Sequence, residues 1–196
     1  MKLCVFQGTF NPIHNAHLRV AKYVRENFDY DKILFIPAFK PPHKDYDENL
    51  SNHRLEMVKL AVENLDGLEV SDIEYKREGL SYTYLTIQEL YKQYDIEGKI
   101  GFIIGTDAFE QLPQWYETDK LKTLIDFILF KRSDTINENT LALLSKRGYK
   151  FNMTDIDFLD ISSTDIRNRI MVHKSVDNLL PKRVLEYIDK NELYRK

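Results

Sequence analysis

Short apolar runs alternate with amphipathic helical stretches along this chain, and that alternation leaves few folds open to it. Leu3 to Phe6, Ile33 to Ile36, Leu68 to Val70, Ile100 to Ile104 and Phe127 to Phe130 read as buried strands. Residues 151 to 159 read as a last short strand with its exit loop. Between the strands the apolar spacing switches to the helical period. Asn15 to Phe28 carries Leu18, Ala21, Val24 and Phe28 on one face, and Ser51 can cap a helix through Leu65 with Leu55, Val58 and Val62 inward. Further helices are expected from Ser81 or Thr83 to about Tyr94, and from Asp119 or Lys120. Others are expected near Leu141 to Lys146, from Asp165 to Val172 behind a Ser162 or Ser163 cap, and from Pro181 to about Asn191. Strands this apolar on both sides, separated by helices, belong to a parallel sheet covered on both faces. The expected class is α/β, a Rossmann-like doubly wound parallel sheet. With 196 residues and no repeat or linker, one domain over 1–196 is expected.

Charge and cysteine usage exclude several functions. A net charge of −3 offers no basic face for nucleic acid. No secretory leader and no membrane span are expected, since no charged stretch followed by an apolar one opens the sequence and no apolar run approaches membrane-spanning length. The single cysteine, Cys4, lies inside the first strand, where it packs as a small apolar residue and has no disulfide partner. A cytoplasmic protein with small-molecule partners is expected. The tyrosine-rich stretch from Tyr82 to Tyr94 suits either the core or a second copy in a homo-oligomer.

Parallel sheets bind ligands beyond the carboxyl ends of their strands, at the point where strand order reverses. Gly8, Pro37, Gly105 and Lys131 each close a predicted strand, so their loops should converge on one crevice. The first loop is the most informative. Gly8-Thr9-Phe10-Asn11-Pro12 ends a strand, and His14 and His17 follow where a helix begins. Residues three apart share a helix side, so both imidazoles can address one ligand. A strand, a glycine turn and a helix start suit a phosphate, with Gly8 allowing close approach. The same residues also fit an ordinary strand-to-helix turn. Zinc is disfavoured, because the pair lacks His-Glu-x-x-His spacing and no cysteine cluster supports it. Ile161-Ser162-Ser163-Thr164-Asp165-Ile166-Arg167 places three hydroxyls and a guanidinium in one first turn. That arrangement suits either an anion site or a plain helix cap.

The first stretch resembles the signature of the nucleotidyltransferase superfamily, Gly-Thr-Phe-(Asp/Asn)-Pro-x-His-x-Gly-His. It matches at Gly8, Thr9, Phe10, Asn11, Pro12, His14 and His17, while Ala16 and Gln7 stand where Gly is usual. Residues 161–167 resemble the second signature, Ile-Ser-Ser-Thr-x-Ile-Arg, in the form of the nicotinate-nucleotide adenylyltransferases. Pro41-Pro42-His43-Lys44, Ser81-Tyr82-Thr83, and Gly105-Thr106-Asp107 with Leu112-Pro113-Gln114-Trp115-Tyr116 are similar to further elements of that family.

The resemblance implies a nucleotidyltransferase-type fold and adenylyl transfer from ATP to nicotinate mononucleotide, with Mg²⁺ delivered by the ATP and no metal ligands of the protein's own. It implies that His14, His17 and Arg167 act on the phosphates. Gly8, Thr9, Phe10, Lys44, Gly105, Asp107, Ser162, Ser163 and Thr164 would complete the ATP site. Thr83, Trp115, Tyr116 and His43 would hold the acceptor. An indole face attracts a pyridinium ring. Backbone donors at Thr83 and Tyr116 would pair with a carboxylate and meet an amide poorly. The competing readings are a transferase acting on nicotinamide mononucleotide or another phosphate acceptor, a metal-dependent hydrolase using the His pair, and a nucleotide-binding regulatory module without activity.

Overall fold

The computed structural model describes residues 1–42, 47–131, 137–157 and 160–195. Its frame is a six-stranded parallel sheet of order β3-β2-β1-β4-β5-β6. The strands are β1 (Leu3–Gly8), β2 (Lys32–Pro37), β3 (Leu68–Val70), β4 (Ile100–Gly105), β5 (Ile125–Phe130) and β6 (Phe151–Met153). The chain builds outward from β1 through β2 to β3, then returns to lay β4 on the other side of β1. The order therefore reverses between β1 and β4, as the expected doubly wound class requires.

Alternation within each strand supplies two cores. Cys4 and Phe6 of β1, Ile33 and Phe35 of β2 and Ile128 and Phe130 of β5 pack on one face. There they meet α1 (Asn15–Asn27), α2 (Glu48–Val62), α7 (Ser163–Met171) and α8 (Lys182–Lys190). Leu3, Val5, Leu34, Ile36, Phe102 and Phe127 pack on the other face. That side is covered by α3 (Thr83–Gln93), the short α4 (Thr106–Glu110), α5 (Thr118–Leu124) and α6 (Glu138–Lys146). Cys4 lies within the first core, where burial pushes its thiol well above the usual range and leaves it an inert packing group. Tyr91 is also internal: its hydroxyl donates to the Leu124 carbonyl and accepts from the Ile100 amide.

Helix starts follow side-chain capping in part. Ser162 caps α7 by accepting the Asp165 amide at 3.1 Å, and Asn137 caps α6 through Thr140. α2 begins earlier than Ser51. Its cap is Asp47, which accepts from the Leu50 amide at 3.2 Å. Ser51 instead lies buried in the first turn, its hydroxyl between the carbonyl oxygens of Asp47 and Phe39.

The sheet opens where its order reverses. Pairing of β1 with β2 runs to Gly8–Pro37, and pairing of β4 with β5 runs to Gly105–Phe130. The register between β1 and β4 reaches only Val5–Phe102. The carboxyl ends of these two strands thus part company, leaving room for a ligand.

Candidate active site

A cleft of about 650 Å³ occupies that opening. The sheet passes through its floor: Phe6, Phe10 and Phe130 belong to one core, Phe102, Ile104 and Trp115 to the other. Gly8, Thr9, Phe10 and His17 line it from the β1 side, Gly105 and Asp107 from β4, and Thr83, Trp115 and Tyr116 from the opposite helices. Gly8, Gly105 and Phe130 of the strand ends, with Ala38 just past β2, meet at this cleft.

The histidine pair is brought together, though its members are not equivalent. His14 is the extended N-cap of α1 and only 1 % exposed, whereas His17 sits in the first turn and reaches the cleft. The backbone N–H of His14 donates to Nδ1 of His17 at 3.2 Å, which assigns the ring proton of His17 to Nε2. The rings stack at 3.6 Å between centroids, and the edges of Phe6 and Phe10 confine His17 at 5.7 and 5.0 Å. His17 is therefore a fixed Nε2–H donor on the cleft wall.

The α1 start differs from a simple row of available amides. The Asn15 amide donates to the Leu179 carbonyl at 2.9 Å and the His17 amide to that of His14 at 3.0 Å. Gly8 has a packing reason beside the expected one. A Cβ there would sit 3.1 to 3.3 Å from the Phe10 ring, which folds back because Phe10 adopts a positive φ of 46°.

The two signature stretches meet in space. Arg167 Nη1 donates to the Asn11 carbonyl at 2.7 Å and its Nη2 lies 3.4 Å from Thr164 Oγ1. Ser163 donates to the Pro12 carbonyl at 2.9 Å, and Ser162 is the helix cap. Ser162, Ser163, Thr164 and Arg167 thus pack behind the turn, whereas the cleft lining is drawn from the turn itself.

Two buried charged residues were missed in the sequence. Arg54, 3 % exposed, donates to the Thr9 carbonyl at 2.7 Å, to the Phe39 carbonyl at 3.2 Å and to Ser51 Oγ at 2.8 Å. A signal existed, since positions 51, 54, 55 and 58 continue one helical face, the face that Leu55 and Val58 turn inward. Glu74, 2 % exposed, accepts from Gln7 Nε2 and Thr86 Oγ1, both at 2.6 Å, and from the Phe39 amide at 3.3 Å. Gln7, unusual for the signature, is therefore the tie between β1 and the segment after β3. No local pattern marks this one.

On the acceptor side, Thr83 opens α3, so its N–H belongs to the first turn, whose amides have no acceptor within the helix. Trp115 sets its edge on Phe102 at 6.3 Å. Tyr116 stacks on Tyr82 at 4.5 Å yet remains 48 % exposed. Ser81 and Lys40 exchange hydrogen bonds at 2.9 Å, joining the loops before α3 and after β2. Asp107 is exposed on the cleft wall. His43 and Lys44 lie outside the described residues.

A parallel switch-point cleft with a donor histidine on one side and stacked aromatics on the other defines a nucleotide-handling enzyme. In agreement, residues 5–169 match the cytidylyltransferase-like family model. A Bacillus pumilus protein is 43 % identical over 98 % of this chain and 98 % of its own length. A Clostridium botulinum protein is 39 % identical over 97 % of this chain and 98 % of its own. Each is named a probable nicotinate-nucleotide adenylyltransferase. A Plasmodium falciparum nicotinic acid mononucleotide adenylyltransferase, solved with NaAD, shares the fold at TM-score 0.79 and 22 % identity, covering 98 % of this chain and 97 % of that one. The chain belongs to the nicotinate-nucleotide adenylyltransferase family, within the cytidylyltransferase-like proteins. Among the described residues, no helix is long and apolar enough to cross a membrane.

Proposed function

We propose that this chain transfers the adenylyl group of ATP to nicotinate mononucleotide, forming nicotinate adenine dinucleotide and pyrophosphate. The observation that carries the reading is one cleft lined by His17 and the Gly8–Phe10 turn together with Thr83, Trp115 and Tyr116. The names of the full-length relatives supply the substrates. A phosphate oxygen of the acceptor attacks the α-phosphorus of ATP. The bond from that phosphorus to the β-phosphate oxygen breaks in line, and pyrophosphate leaves with the electron pair. No covalent enzyme intermediate is needed, so positioning and charge stabilisation do the catalysis.

His17 Nε2–H donates to the phosphate chain as charge develops. His14, the buried cap of α1, stacks against it and fixes the orientation of its ring. Arg167 and the Ser162–Thr164 start of α7 support the β/γ end through the turn that Arg167 and Ser163 grip, and Gly8, Thr9, Phe10, Gly105 and Asp107 receive the rest of ATP. Lys44 and His43 assist at the phosphates and the acceptor. The acceptor ring lies on Trp115, its carboxylate at the Thr83 and Tyr116 amides. Mg²⁺ arriving with ATP would be bound by phosphate oxygens and water and would supply additional charge neutralisation. We place the reaction in the cytoplasm, with small molecules as its required partners.

The test is mass-spectrometric detection of the dinucleotide after incubation with Mg-ATP and nicotinate mononucleotide. Its formation in proportion to enzyme is expected. ATP binding with no product would favour the regulatory module.

A further inference from the structure

The segment from Asn178 through α8 to Arg195 belongs to neither signature, and it lies beyond residues 5–169, the stretch matched by the family model. Yet this segment reaches both ends of the phosphate-side turn. Tyr194 Oη donates to Asn11 Oδ1 at 2.6 Å, between residues 183 positions apart. At the other end, the Leu179 carbonyl accepts the Asn15 amide and the Asn178 carbonyl accepts Asn15 Nδ2 at 3.0 Å.

The backbone is bent to make this contact. Glu192 and Tyr194 both adopt positive φ, 51° and 63°, a region non-glycine residues enter at a cost. Strain of that kind persists only where surrounding contacts over-determine it. Here Leu193 and Tyr194 pack against the core that holds α1, α7 and α8. Burial raises the Tyr194 hydroxyl well above the ordinary tyrosine value, with the Arg167 and Arg54 guanidinium groups acting against the rise. The hydroxyl keeps its hydrogen and donates it in the bond to Asn11 Oδ1. Arg54 and Arg167 themselves hold the Thr9 and Asn11 carbonyls. Tyr194 completes a set that grips the backbone and the side chain of one turn.

We propose that Tyr194 is a positioning residue for ATP: by fixing the Asn11 side chain it holds the Gly8–Pro12 turn in the shape that receives the phosphates. The proposal rests on the adenylyltransferase reading for its substrate. It names a side chain that acts through Asn11 without touching ATP.

The decisive readouts are the Kd for a non-hydrolysable ATP analogue and the KM for nicotinate mononucleotide in Tyr194→Phe. Loss of one such hydrogen bond should weaken analogue binding roughly five- to tenfold and leave the acceptor KM unchanged. Asn11→Leu reads the same contact from the other side. Adding Tyr194→Phe to it should change the Kd no further, and Asn11→Asp, which keeps an acceptor oxygen, should lose less than Asn11→Leu. An unchanged analogue Kd in folded Tyr194→Phe would overturn the proposal, as would additive effects in the double variant or equal weakening of both substrates. A wild-type chain that binds the analogue without turnover would overturn the activity alone, because the Kd comparison still decides the role of Tyr194.

Discussion

The two halves of the cleft present different chemistry. Behind the phosphate-side turn, carbonyl oxygens are occupied from outside. Gly8 accepts from the Ala38 amide, Thr9 from Arg54, Asn11 from Arg167 and Pro12 from Ser163. Acceptors that would repel a phosphate are thereby turned away and neutralised, partly by cations. Beside that turn the buried carboxylate of Glu74 collects donors from Gln7, Thr86 and Phe39, tying β1 and the stretch after β2 to α3. The opposite half presents aromatic rings, with Trp115 and Tyr116 on the wall. A cation-backed polar turn suits a triphosphate, and an aromatic wall suits a pyridinium ring.

This contrast can be broken one side at a time. The largest effect is expected for His17→Ala, which removes the fixed Nε2 donor: kcat should fall about 10²-fold or more with circular dichroism unchanged. A retained rate in the folded variant would remove His17 from the chemistry. Next comes Arg54→Met, which leaves the Thr9 and Phe39 carbonyls without their charged donor. Urea unfolding should show a loss of roughly 2 kcal/mol, and ATP binding should weaken while the acceptor KM stays close to wild type. Equal weakening of both substrates would deny that the brace serves one half. The smallest of the three is Trp115→Ala, for which the acceptor KM should rise about tenfold, the scale of a lost cation–aromatic contact in a desolvated site, with ATP affinity unchanged.

How much of this was legible in the sequence depends on the range of the contact involved. β1 and α1 were readable to within two residues, because apolar periodicity is local. The cleft was anticipated from strand ends, since Gly8 and Gly105 had to lie at carboxyl termini of parallel strands. The start of α2 was misplaced because Asp47, its cap, hides in a uniformly polar stretch. His14 and His17 were expected to serve alike, but the helix begins between them, so one became a buried cap and the other a wall residue. Arg54 was marked as inward by its helical face, but what it, Gln7 and Glu74 bind was beyond reach. Their partners lie 45 and 67 positions away, and no spacing rule connects a buried charge to a distant carbonyl or amide. The braces are therefore legible only in three dimensions, while the groups proposed to meet the ligand are marked by short motifs.

The central claim is that one cleft joins a phosphate half to a half selective for a pyridine carboxylate. Pyrophosphate release from Mg-ATP, with nicotinate mononucleotide and nicotinamide mononucleotide supplied separately, tests it most directly. The account predicts fast release with the acid and little with the amide. Equal rates with both would contradict the acceptor half of the account, and no release with either would contradict it altogether.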